Sequence, residues 1–155
     1  MELMVAVVLT GIVAAMAMPQ FGHTVNKLKF QAAAREIVSK MRLARSEAVT
    51  TKHPYGINFD NGSYVLTIYQ DIQNPSLAQF DSGDSVVAVD TLPADFRYLY
   101  GSFGDDIVYQ PNGSASQSGT LWFLAYDSTA SYVNSGSINI LASTGRTRLN
   151  DSYFY

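Results

Sequence analysis

The sequence predicts an α+β fold in which a long N-terminal helix packs on an antiparallel β-sheet. An uncharged apolar run extends from Leu3 to Met18, and a second helical segment carries an apolar stripe on one face. From residue 55 onward, short β-prone segments alternate with stretches rich in Gly, Asn, Asp and Pro. A chain of 155 residues suffices for one such domain. We therefore divide it into residues 1–22, 23–52 and a β-rich head, 53–155.

The N-terminal apolar run is close to a membrane span. As a helix rising ~1.5 Å per residue, it would extend roughly 24 Å, somewhat less than the ~30 Å hydrocarbon core of a bilayer. A secretory signal peptide is the alternative, because Ala15-Met-Ala17 resembles a cleavage site, but Glu2 stands where a basic residue is required. A carboxylate at the head of a membrane helix is costly. Glu2 is therefore expected to have a partner that neutralises it.

The helical pattern continues beyond the apolar run. Pro19 removes one backbone donor, so a kink or local melting is expected between Gly11 and Pro19. The helix is expected to end near Pro54, since the residue before a proline is excluded from the α conformation. In between, apolar residues recur at spacings of three and four and should pack on the head. They are Phe30, Ala34, Ile37, Met41, Ala44 and Ala48.

The sequence predicts that the head consists of a series of short strands. They are predicted at residues 55–60, 63–69, 85–90, 96–100, 107–110, 120–126 and, as the last one, 137–142. Asp60-Asn-Gly62 separates the first two strands and predicts a tight hairpin, because Asn-Gly accepts positive φ at low cost. Residues 71–84 are predicted to form a surface loop.

Charge is distributed unevenly along the chain. The net formal charge is −3, but seven of the ten basic residues precede residue 53 and ten aspartates follow it. The helical segment is therefore basic, and the head carries a net formal charge of −7. Cysteine is absent, so the stability of the head must come from packing.

The sequence contains few residues that could form a catalytic or metal site. The chain has only His23 and His53, no cysteine, no nucleophile elbow and no Walker loop. We expect both histidines to be surface or interfacial residues. Asp81-Ser-Gly-Asp84 and Asp105-Asp106 lack the alternating oxygen ligands of a calcium loop and are expected to be turn residues. The sequence therefore predicts a protein that is not an enzyme and needs no cofactor or metal.

Tyrosines are frequent in or beside the predicted strands. We expect most of them to be half-buried strand residues. A stacking surface for sugars or bases is an alternative that their spacing does not select. They are Tyr64, Tyr69, Tyr98, Tyr100, Tyr109, Tyr126 and Tyr132.

Four segments resemble a known family. Glu2-Leu-Met-Val5, with the apolar run that closes in Ala17-Met-Pro19, is similar to the class III N-terminus of type IV pilins and type II secretion pseudopilins. Three more narrow the resemblance to GspH/FimT-type minor pilins and pseudopilins, while residues 63–105 carry no match. They are Met41-Arg-Leu-Ala-Arg-Ser-Glu-Ala48, Ile107-Val-Tyr-Gln-Pro-Asn-Gly-Ser114 and Ile138-Asn-Ile-Leu-Ala-Ser-Thr-Gly-Arg-Thr-Arg148.

The resemblance implies a pilin-like fold and a subunit that assembles through its N-terminal helix into a type IV pilus or a type II secretion pseudopilus. It implies a single pass through the inner membrane with the head in the periplasm. Glu2 would pair with the N-terminal amine of a neighbouring pilin subunit, and Gly11 and Pro19 would belong to the same assembly segment. A prepilin peptidase would cut the precursor before a Phe-Thr-Leu sequence preceding Met1, and the new N-terminal residue would be methylated.

Two alternatives to simple assembly stay open. Gly145-Arg-Thr-Arg148 resembles the loop with which FimT-like minor pilins bind double-stranded DNA during natural transformation. Arg146 and Arg148, at alternate positions of an extended segment, project to one side and can contact adjacent phosphates. The acidic head opposes such binding, and the arginines could instead face solvent or pair with Asp151. The other alternative is a free-standing adhesin or sugar-binding head.

Overall fold

The computed structural model describes residues 2–93, 96–126 and 133–154, without the side chains of residues 2, 14–21, 23, 96–98, 126, 133 and 151–154. One helix, α1 (Glu2–Thr51), precedes all the strands. The strands are β1 (Tyr55–Asp60), β2 (Val65–Gln70), β3 (Ser85–Thr91), β4 (Phe96–Gly101), β5 (Asp106–Tyr109), β6 (Gly119–Tyr126), β7 (Val133–Leu141) and β8 (Arg146–Phe154). The predicted α+β fold is confirmed.

The helix α1 is unbroken over 50 residues. The local melting expected between Gly11 and Pro19 is therefore wrong, because one missing N–H donor is outweighed by the hydrogen bonds of the flanking turns. The helix ends at Thr51, within the predicted boundary, and Lys52 turns the chain away with a φ of 63°. Within the described part of the chain, no helical stretch combines the length and the apolar character needed to cross a membrane.

The second half of α1 supplies one side of the core. All members of the predicted stripe are buried, and Ala33 and Val38 widen the buried face. Phe30 contacts Phe123 of β6, with ring centroids 5.4 Å apart. The helix packs against strands of both sheets of the head, notably β1 and β8. The predicted packing of the stripe on the head is confirmed.

The head contains two four-stranded antiparallel sheets rather than one. Sheet A has the strand order β3-β2-β1-β5, and sheet B has the order β4-β6-β7-β8. The chain therefore leaves sheet A after β3, forms β4 in sheet B, and returns to place β5 beside β1. The inner faces of both sheets meet α1 in a single core, whose fully buried members include Ile57, Ile68, Leu121, Phe123 and Ile138.

The hairpin between β1 and β2 is confirmed, but its turn differs from the predicted one. The positive φ falls on Tyr64, at 56°, and not on Asn61 or Gly62. The Asp60 carboxylate accepts hydrogen bonds from the backbone N–H of Gly62 at 2.8 Å and of Ser63 at 3.3 Å. These bonds stabilise the turn locally, so the Asn-Gly pair does not need the left-handed region.

The prediction missed the last strand, β8, and started β7 too late. Strand β8 pairs along β7 with Ile138 opposite Leu149 and Ile140 opposite Thr147. Among the described side chains of β8, Thr147 and Leu149 face the core and Arg146, Arg148 and Asn150 are charged or polar, so apolar content alone does not identify the strand. The alternation of Arg146, Thr147, Arg148 and Leu149 was the available signal.

Candidate functional site

The charges of the head are separated between its two sheets. Residues 53–93 and 102–118, which include all of sheet A, contain seven aspartates and no lysine or arginine. The rest of the head, residues 94–101 and 119–155, includes all of sheet B and contains three arginines, Arg97, Arg146 and Arg148, and three aspartates, Asp95, Asp127 and Asp151. An anion that approaches sheet B therefore meets less repulsion than the net charge of the head suggests.

Arg146 and Arg148 lie on the outer face of β8. Both are exposed, whereas Thr147 between them is buried. The two guanidinium groups therefore project to the same side, as the alternation predicts. Among the side chains that the structure describes, neither forms an ion pair with a carboxylate. The carboxylate of Asp151, which the sequence offered as a partner, lies outside the described side chains.

A shallow groove of about 490 Å³ runs beside these arginines. Thr120 of β6 and Asn139 of β7 lie opposite each other in register, and the Thr120 hydroxyl contacts Asn139 Oδ1 at 2.9 Å. This hydrogen bond holds the Asn139 amide in one orientation. The groove therefore offers hydrogen-bonding groups beside two cations. Its lining consists of Ser118, Gly119, Thr120, Asn139, Ile140, Leu141, Arg146 and Arg148.

Two exposed aromatic side chains stack on the same face of sheet B. Tyr100 of β4 lies opposite Trp122 of β6, with ring centroids 5.9 Å apart and ring planes inclined by 18°. Tyr100 is 49% exposed and Trp122 is 42% exposed. Tyr100 is thus the half-buried strand residue that the sequence predicts, but the sequence does not predict its stacking on Trp122. The pair was missed because register between strands cannot be read from spacing within one strand.

Three of the segments that carry the family resemblance meet at one point. Arg45 of α1 donates a hydrogen bond from Nε to the carbonyl oxygen of Gly113 at 2.9 Å. A Cβ at Gly145 would lie 2.2 Å from that oxygen and 3.0 Å from Arg45 Nε. Gly113 and Gly145 both have positive φ, at 82° and 60°. This Arg45–Gly113–Gly145 junction fixes the turn from which Arg146 and Arg148 extend.

The aspartates of residues 71–84 organise their own loop. Asp84 accepts hydrogen bonds from the backbone N–H groups of Ile72, Gln73 and Asp81 at 2.9, 3.1 and 2.8 Å. Burial opposes ionisation, but these donors hold the pKa of Asp84 below its ordinary value. Asp81 and Asp84 thus have the turn-stabilising role that the sequence predicts.

Asp71 is a buried carboxylate that the sequence did not single out. It is 2% exposed, and neither oxygen has a hydrogen-bond partner within the described part of the chain. Burial, followed by repulsion from Asp84, Asp81 and Asp106, raises the pKa of Asp71 to about 6. Across residues 2–93, 96–126 and 133–154, no group of histidine and acidic side chains is arranged to hold a metal ion.

The predicted assembly residues lie in the first half of α1, away from the head. Between residues 3 and 13 the large apolar side chains are exposed, at 82% for Leu3 and 67% for Val13. Gly11 belongs to this segment. Glu2 and Pro19 lie in the same helix, and their side chains are outside the described ones. His53 is exposed after the helix end, whereas the His23 side chain is not described.

Comparisons with known proteins agree on the fold. Residues 33–144 match the family model described as type II transport protein GspH. The type IV minor pilin FimU of Pseudomonas aeruginosa (strain PAO1) is similar in structure, with a TM-score of 0.60, 17% identity, and coverage of 81% of this chain and 91% of FimU. The minor pseudopilin EpsH from the Type 2 Secretion System of Vibrio cholerae is also similar in structure, with a TM-score of 0.58 and 16% identity. The match covers 77% of this chain and 94% of EpsH. No curated protein sequence matches the chain.

Proposed function

Because the chain belongs to the GspH family, we propose that it is a minor pilin or pseudopilin subunit that assembles through α1 into a type IV pilus or a type II secretion pseudopilus. The observation that carries the proposal is the exposed apolar half of α1. Leu3, Met4 and Val7 are 82%, 77% and 68% exposed. Burying one such side chain gains about 1.5–3 kcal/mol, so this segment requires a surface to cover it.

Two surfaces cover this half of the helix in turn. Before assembly, residues 1–22 lie in the inner membrane with the head in the periplasm, after a prepilin peptidase has processed the precursor. After assembly, the same residues pack against the helices of neighbouring subunits in the filament core. Residues 23–52 attach the head, 53–155, because their buried stripe is already paired with it.

Glu2 directs the assembly step by pairing with the N-terminal amine of a neighbouring subunit. The residues that follow it are apolar, so the carboxylate enters surroundings of low dielectric constant. An unpaired charge is costly there, and its partner favours one axial position of the new subunit. Gly11 and Pro19 act in the same segment by allowing close helix contact and local bending.

Replacing Glu2 with alanine is expected to lower incorporation into filaments on the order of tenfold or more, because loss of one partner leaves a charge unpaired in the core. The head should stay folded and the subunit should stay in the membrane fraction. The measurement is the amount of subunit in sheared filaments of the native host, with Glu36→Ala as the control that removes an exposed carboxylate of the same helix. Normal incorporation of Glu2→Ala would show that the pairing role is wrong.

We propose, as a second function, that the head binds double-stranded DNA through Gly145, Arg146, Thr147 and Arg148. The observation that favours it is the exposure of both arginines on the outer face of the sheet that holds few carboxylates. Their planar guanidinium groups suit bidentate contact with phosphates.

In gel retardation with the full chain in detergent, duplex DNA should shift at low salt, independently of sequence. The double variant Arg146→Gln/Arg148→Gln should lose the shift, since it removes the contacts that release counterions. The matched control is Arg35→Gln/Arg42→Gln, which removes two exposed cations from α1. A shift that disappears equally in both double variants would reflect net charge alone and would exclude this site.

A further inference from the structure

We propose that the outer face of sheet B binds single-stranded nucleic acid, with bases stacked on Tyr100 and Trp122 and phosphates held by Arg146 and Arg148. The proposal rests on the DNA binding proposed above. It adds stacking contacts with Tyr100 and Trp122 to the phosphate contacts, and it specifies that the preferred ligand is single-stranded. The observation behind it is the presence of a stacked, exposed aromatic pair and two exposed arginines on one sheet face.

The register of sheet B places these groups within reach of one ligand. Thr120 lies two residues from Trp122 on β6 and pairs with Asn139 on β7, which pairs with Arg148 on β8. Two strand spacings of ~4.8 Å and one two-residue step of ~6.8 Å separate the Cα atoms of Trp122 and Arg148 by about 12 Å. The groove lined by Thr120, Asn139 and both arginines begins one two-residue step along β6 from Trp122. One extended strand can therefore cross from the aromatic pair to the arginines.

The aromatic pair selects a single strand over a duplex. Bases in a duplex are stacked on each other and present only their edges, whereas an unpaired base offers a flat face to a side-chain ring. Tyr100 and Trp122 retain about half of their surface in solvent, whereas Phe123 of the same sheet is fully buried. Stacking on such rings tolerates every base, so the surface is not expected to read sequence.

The charge distribution selects a polyanion over a neutral sugar. Aromatic rings also stack on carbohydrates, but a neutral sugar lacks the negative charge that would strengthen its hydrogen bonds with Arg146 and Arg148. The seven aspartates around sheet A repel phosphates, so a phosphate chain is disfavoured on that half of the head. A strand is therefore directed across sheet B, along the line from the aromatic pair to the arginines.

Trp122 supplies a direct readout, because it is the only tryptophan of the chain. The full chain in detergent is titrated with a short oligothymidylate, with a duplex of mixed sequence, and with a neutral oligosaccharide. We expect the oligothymidylate to quench tryptophan fluorescence and to bind more tightly than the duplex. Tyr100→Leu, which keeps the reporter, should weaken single-strand binding about tenfold to a hundredfold, the loss typical of one stacking ring.

The variants separate this proposal from the duplex binding on which it rests. Trp122→Leu, followed by fluorescence anisotropy of a labelled strand, should weaken single-strand binding and leave duplex binding unchanged, whereas Arg146→Gln/Arg148→Gln should weaken both. Phe80→Leu is the control for an exposed aromatic residue on the other half, and circular dichroism confirms folding of each variant. Equal binding of both DNA forms, insensitive to Tyr100 and Trp122, would overturn the stacking surface alone. No binding of either form would overturn both proposals, and quenching by the neutral sugar alone would overturn the nucleic-acid assignment.

Discussion

Replacing Gly145 with alanine is expected to lower the free energy of unfolding of the head by about 2–4 kcal/mol. A φ of 60° costs a residue with a Cβ about 1–2 kcal/mol. The added Cβ would also lie 2.2 Å from the carbonyl oxygen of Gly113, a contact with backbone that a side-chain rotation cannot relieve. The shift of Gly113 would strain the hydrogen bond from Arg45, a bond of about 1 kcal/mol.

The matched control is Gly104→Ala, measured by urea unfolding under the same conditions. Gly104 also has positive φ, at 83°, but apart from its two chain neighbours no atom of the described residues lies within 4 Å of the position of its added Cβ. This variant should lose only about 1–2 kcal/mol, the cost of the backbone conformation. Equal losses in the two variants would contradict the role of the Arg45–Gly113–Gly145 junction, because backbone conformation would then explain both.

Removal of residues 1–21 is expected to change the chain from one that needs detergent into a soluble, monomeric, β-rich protein. The deleted half of α1 exposes its apolar side chains, and the buried stripe begins only at Phe30. The core beneath the helix is therefore retained, and the free energy of unfolding should change by less than about 1 kcal/mol. Size-exclusion chromatography and circular dichroism measure the two properties.

A longer deletion provides the control. Removal of residues 1–34 also removes Phe30, Ala33 and Ala34, which are 3%, 4% and 1% exposed. Loss of a buried phenylalanine alone costs about 3–5 kcal/mol, so this protein should be strongly destabilised. If the variant that lacks residues 1–21 aggregated or lost its β-sheet signal, the division of α1 into a free half and a packed half would be wrong.

Local periodicity accounts for the parts of the fold that the sequence predicts. The stripe from Phe30 to Ala48 is visible because helical spacing places its members on one face, and a buried face must be apolar. The β1–β2 hairpin is visible because a turn sequence separates two apolar segments. In contrast, the sequence does not predict β8, because among its described side chains only Thr147 and Leu149 face the core and polar side chains occupy the other positions.

The candidate site depends on relations between distant segments, which periodicity does not encode. Arg146 and Arg148 are predicted because their alternation is local. The pairing of Tyr100 with Trp122 and the contact of Arg45 with Gly113 require the register and the packing of whole sheets. The distribution of charge over the head also depends on the packing of distant segments. The net charge describes an acidic head, and only the strand order shows that most of the aspartates lie around sheet A.

The central claim is that the exposed half of α1 packs against neighbouring subunits in a filament, and cysteine cross-linking tests it most directly. The chain has no cysteine, so a single one at Val8, which is 61% exposed, reports without background. In the native host, oxidation should join the Val8→Cys subunit by a disulfide to a neighbouring subunit that carries a cysteine in the first half of its own helix, and adding Glu2→Ala should reduce that product. Filaments that contain the Val8→Cys subunit but yield no cross-link along this half of the helix would contradict the account.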